Sequence, residues 1–171
     1  SLRRPVQNRQ QMLNVEIALV TIINHPVLLL DFSDELEGLQ GGAEQICDEI
    51  LSWYHEKQSQ DDKVLDSDAL KHHLNDAGLE EGLNNLLNPR VYAHASFAQP
   101  DALEEKARQG LNEIIRRIGN MQLKDDLKYA QRELLTNFSP EAEARVMEMR
   151  RLLEASESAL SDSQVDDLES A

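Results

Sequence analysis

Apolar residues crowd the stretch 8–24, where Met12, Leu13, Val15, Ile17, Ala18, Leu19, Val20, Ile22 and Ile23 cover nearly every side of a helical wheel. A helix that is apolar all round is buried on most sides. Its β-branched content would also suit a strand, but its length and its Asn/Gln/Arg-led start favour a central helix. Asn24-His25-Pro26 stops it, because the residue before proline avoids the α region. Pro26 then suits the first turn of a short helix through Leu30.

The segment SDELEGLQGG reads as one or two turns ending in glycines. From Gly42 an amphipathic helix follows, with Ile46, Cys47, Ile50, Leu51, Trp53 and Tyr54 inside and Glu44, Asp48, Glu49 and Glu56 outside. After the polar loop QSQDDK, Asp66 or Ser67 can cap a short helix that Gly78 closes. Another helix runs from about Glu80 to Leu87, and Asn88-Pro89 ends it.

From Pro100 the pattern lengthens. Leu103, Ala107, Leu111, Ile114 and Ile118, then Leu123, Leu127, Ala130 and Leu134, form the one-sided seam of a long helix, with Gly119-Asn120 as the place for a bend. Unbroken, it would extend roughly 55 Å at 1.5 Å per residue, longer than a small domain is wide. Its far end therefore reads as an arm. Ser139 caps and Pro140 opens a second helix, with Ala142, Val146, Met149 and Leu153 on one stripe, so the two form an antiparallel hairpin. The fold class expected is all-α: a helical bundle, a long helix and a C-terminal hairpin.

Charge divides the chain along the same lines. Residues 1–11 carry Arg3, Arg4 and Arg9 and no acid, and read as a basic linker. Residues 12–99 hold four lysines and arginines against a crowd of carboxylates, which makes the bundle acidic. The span 100–153 is balanced, and residues 154–171 carry acids only. The domains expected are thus the linker 1–11, a bundle over 12–120, a hairpin over 121–155 and an acidic, disordered tail over 156–171. A net charge of −15 excludes the cationic field that non-specific nucleic-acid binding needs. The apolar stretch from Val15 to Leu30 is too broken by polar residues to span a membrane, and the chain opens on no secretory signal. The start at Ser1 rather than Met reads as a piece of a longer protein.

Candidate chemistry is sparse. Cys47, the sole cysteine, lies on a predicted buried face and reads as a core residue of a reducing compartment. His72 and His73 are adjacent, so on a helix they point about 100° apart and do not ligate one metal together. Gly41-Gly42 lacks the spacing and lysine of a phosphate loop. His25 before Pro26 reads as a helix-end polar residue, His55 and His94 have no patterned partner, and the pairs Asp61-Asp62, Asp125-Asp126 and Asp166-Asp167 read as solvated surface. No nucleophile, base and orienting group assemble, so no catalytic, cofactor or metal site is expected. The hairpin carries more apolar side chains than one seam buries, Met147 and Met149 among them as adaptable contacts, so part of it is expected to meet another protein.

The order of segments resembles the C-terminal helicase-binding domain of DnaG-type bacterial DNA primases. The resemblance covers about residues 12–155. It rests on Asn14-Val15-Glu16-Ile17-Ala18-Leu19-Val20 with the stop Ile22-Ile23-Asn24-His25-Pro26, on Phe32-Ser33-Asp34-Glu35-Leu36 and on Ile50-Leu51-Ser52-Trp53-Tyr54. Leu111-Asn112-Glu113-Ile114-Ile115-Arg116-Arg117 and the hairpin opening Ser139-Pro140-Glu141-Ala142-Glu143 complete it. It implies a cytoplasmic, non-catalytic domain whose hairpin docks on the N-terminal domains of a hexameric DnaB-type replicative helicase and whose bundle modulates that helicase. Primer synthesis, with its metal and nucleotide sites, would belong to the rest of the parent enzyme. Phe138, Val146, Met149 and Leu153 are the partner-binding candidates, and the fragment is expected to be a monomer without a cofactor. The rival readings are a helical adaptor unrelated to replication that self-associates through the same arm, and a small acidic enzyme built on His72 and His73.

Overall fold

The computed structural model describes residues 9–39 and 43–169, the last ten of these as backbone only. The described residues are all-α, with no strand among them. Contacts divide the chain into two compact units, residues 1–115 and 116–171. Residues 1–8 of the expected basic linker lie outside the described residues, as do Gly41 and Gly42, while Arg9 to Gln11 already belong to the first helix.

The first unit is organised around α1 (Arg9–Asn24), whose residues from Asn14 to Asn24 are all buried except Glu16. It contacts α4 (Ser67–Asp76), α5 (Glu80–Leu86), α6 (Pro89–His94) and the 3-10 turn Ser96–Ala98, which is why its apolar side chains need no polar face. Each buried Leu, Ile or Val contributes roughly 1.5–3 kcal/mol. A 3-10 turn, Pro26–Leu28, leads directly into α2 (Leu29–Glu37), which packs on α3 (Glu44–Ser59), and α3 in turn packs on α4. The first part of α7 (Glu104–Thr136) closes the unit with Ala107, Leu111 and Ile114 buried.

The polar end of α1 is tied down at a distance. Asn24 Nδ2 donates to the Ala98 carbonyl at 2.8 Å and to the Tyr92 hydroxyl at 3.0 Å. His25 Nε2 donates to the Gln99 carbonyl at 2.8 Å, and Ser67 Oγ donates to the Ile23 carbonyl at 2.7 Å. These bonds pair the Ile23 carbonyl and the Asn24 amide nitrogen at the buried helix end, while the Asn24 amide oxygen is buried without a partner.

Local signals set the boundaries. Asp66 accepts from Ala69 N at 3.0 Å and caps α4. Gly78, at φ +80°, closes that helix in the left-handed region that glycine enters without strain. Asn88-Pro89 does end α5, but Asn88 also accepts from Arg90 N at 2.8 Å and Pro89 opens α6, a helix the sequence reading did not anticipate.

In the second unit α7 continues through Gly119-Asn120 without a break. The turn 137–139 leads into α8 (Pro140–Glu169), where Ser139 Oγ accepts from Ala142 N at 3.1 Å and Pro140 is the first helical residue. Over the stretch expected as an acidic tail, α8 runs as far as Glu169. Once a helix is nucleated each further residue adds a hydrogen bond at little extra entropic penalty, so a Ser/Asp-rich stretch can propagate it. The two units meet at 115/116, where the sequence reading has 120/121.

Candidate interaction face of the C-terminal helices

Heptad-like spacing puts Leu123, Leu127, Ala130 and Leu134 on one stripe of α7 and Ala142, Val146, Met149 and Leu153 on one stripe of α8. Ala130 and Val146 are buried, at 3% and 4% exposure, and the other residues of both stripes are half-buried. Two ion pairs join the helices, Arg145 to Glu133 at 3.6 Å and Lys124 to Glu157 at 3.5 Å. Their positions, one near the turn and one farther along, fix an antiparallel register. All four side chains are well exposed, so each pair contributes at most about 1 kcal/mol and the seam carries the stability. On the outer surface of α8 the Arg151 guanidinium donates twice to Glu148, at 2.6 and 3.0 Å, and this holds the Glu148 carboxyl below the usual carboxylate range.

Large apolar groups are left outside the seam. Leu135 is 88% exposed, Phe138 74% and Met147 65%, with Tyr129 and Leu152 exposed to a lesser degree. Leu135 stands in the last turn of α7, Phe138 in the connecting turn and Met147 near the start of α8. Of the four residues proposed from sequence, only Phe138 presents itself to solvent. Val146 is buried, and Met149 and Leu153 on the same stripe are half-buried. Leu135 and Met147 are exposed, and their exposure is legible by phase: Met147 follows stripe residue Val146 by one position, which turns it about 100° away from that stripe.

Elsewhere the two adjacent histidines of α4 are engaged in structure. His73 Nε2 meets Glu49 Oε1 at 2.6 Å, while the neighbouring His72 reaches Asp76 at 3.3 Å, so the two rings serve different partners as their spacing on a helix requires. Among the described residues no group of three or more His, Cys, Asp and Glu side chains is placed to share a metal ion. Burial, reinforced by the nearby Asp48 and Glu44 carboxylates, pushes the Cys47 thiol up to about 12, which keeps it protonated and unreactive near neutrality. No single helix among the described residues is long and apolar enough to cross a membrane, and the apolar pair Arg9–Asn24 and Pro26–Glu37 is bent by 106°.

No family model, curated protein or solved structure matches the chain.

Proposed function

We propose that this chain is the helicase-interaction domain of a bacterial DnaG-type primase, non-catalytic in itself and working in the cytoplasm. In this reading the α7–α8 hairpin binds the N-terminal domains of the hexameric DnaB-type helicase, recruits priming to the replication fork and modulates the helicase. The observation that carries it is the exposure of Leu135, Phe138 and Met147 around the hairpin turn. Two seam stripes and two ion pairs already hold the hairpin without them. Apolar side chains clustered near one turn of a stable element are the usual anchors of a protein interface.

The test is a titration of the full chain against the intact hexameric helicase at low salt and micromolar protein, followed by fluorescence anisotropy. A complex is expected, weakened about tenfold by Phe138→Ala or Leu135→Ala, as for interface anchors. The absence of any complex would overturn the reading. A concentration-dependent dimer without helicase affinity would favour the adaptor instead.

A further inference from the structure

A half-open groove of about 300 Å³ runs between the C-terminal end of α2 and the exposed side of α3. Leu39 and Leu51, both half-buried, supply its accessible apolar surface, over Leu36 and Cys47, which belong to the core. Its rim carries the carboxylates of Glu37, Glu44 and Asp48, and His55 closes one end. The α3 contributors fall on one face from Glu44 to His55, three turns or roughly 16 Å of helix at 1.5 Å per residue. Glu37 and Asp48 are both exposed and form no ion pair among the described residues. The field at the groove is registered by Cys47, whose thiol feels Asp48 and Glu44 after burial itself.

We propose that this groove binds a cationic amphipathic helix of a partner protein, its apolar residues on Leu39 and Leu51 and its lysines or arginines against Glu37 and Asp48. The residues that α3 lends to the groove recur at i, i+3/i+4 and i+7, the spacing along which a second helix can be laid. A small ligand fits less well, because small-ligand sites enclose most of their occupant and this groove is only half enclosed. Charge selects the partner's sign, and the acidic stretch 12–99 around the groove hastens encounter with a basic segment. The site belongs to the first unit and is independent of the hairpin reading.

The probe is a fluorescein-labelled amphipathic peptide of about 18 residues built from Leu, Ala, Lys and Arg, titrated against the full chain, with a scrambled peptide of equal composition as control. The scrambled peptide should bind at least about tenfold more weakly. Glu37→Lys with Asp48→Lys should weaken the amphipathic peptide about tenfold, while the charge-matched Glu80→Lys with Glu81→Lys on α5 changes it less than about twofold. All four carboxylates are exposed, so both double variants should keep the wild-type circular dichroism. Equal weakening by the two reversals, or equal binding of the scrambled peptide, would overturn the proposal, since the net charge alone would then explain the attraction. So would a concentration-dependent dimer abolished by Glu37→Lys with Asp48→Lys, because the occupant would then be a second copy of this chain.

Discussion

The ring of Phe97 fills the space that any side chain at Gly110 would need: its Cγ, Cδ1 and Cδ2 atoms all lie within clashing distance of where a β-carbon would stand. The 3-10 turn and α7 thus approach each other at a position where only glycine fits.

Gly110→Ala should therefore destabilise the first unit by roughly 1–3 kcal/mol, because the overpacking penalty exceeds the helix-propensity gain of about 1 kcal/mol. Gly119→Ala should do the opposite. Nothing lies within 4 Å of a β-carbon there, so the gain of roughly 0.5–1 kcal/mol is unopposed. Urea unfolding followed by the fluorescence of buried Trp53 reports the first change, and thermal melting at 222 nm the second. Equal signs for the two substitutions would refute the steric argument.

The hairpin should separate stability from recognition. Val146→Ala removes buried methyl groups from the seam and should cost about 1–2 kcal/mol in the melting of the α7–α8 pair. Leu135→Ala and Phe138→Ala, at exposed positions, should change that melting by less than about 0.5 kcal/mol. Circular dichroism melts of the three variants beside the wild type decide it.

Loss of the Ser139 cap should be felt at the turn. Ser139→Ala frees the Ala142 amide and should destabilise the start of α8 by about 1 kcal/mol, with Ser139→Asp restoring most of the loss. Amide hydrogen exchange at Ala142 and Glu143 is the direct readout.

Cys47 gives the chain a pH dependence of defined sign. Its folded-state pKa is raised, to about 12 from an ordinary value of 9.0. The buried thiol is therefore accommodated fully below pH 9, and stability falls as the pH rises from 9 toward 12, where the unfolded chain ionises first. The difference in urea midpoint between wild type and Cys47→Ala, followed from pH 8 to 10.5, should shift steadily against the wild type. In the folded protein a disulfide reagent such as dithionitrobenzoate should leave Cys47 unmodified at pH 8 until urea is added.

Much of the fold was legible because single residues carry local boundary signals. Ser139-Pro140, Asp66 and Gly78 act at the helix ends where their side chains or backbone freedom demand it. Asn88-Pro89 misled in one respect, since a pair that stops one helix is equally good at starting another, and α6 was the result. Gly119 suggested a bend because glycine weakens a helix, but a penalty of about 1 kcal/mol is small against a continuous hydrogen-bond ladder. At the candidate face, Phe138 was legible as an apolar residue in a polar turn. Val146, Met149 and Leu153 share one stripe of α8, a spacing that already suits the pairing of the two helices, and burial follows that stripe.

The Asn24 amide finds its partner 74 residues downstream, at the Ala98 carbonyl, and the His25 ring reaches Gln99 across an equal span. Closing a loop of that length carries an entropic penalty on the order of 4 kcal/mol before the contact returns anything. The central helix is thus completed late in synthesis, when the segment carrying Tyr92, Ala98 and Gln99 has emerged. The first unit has to assemble as one cooperative body, and a chain cut short of Ala98 would leave α1 an apolar rod with an unanswered polar end.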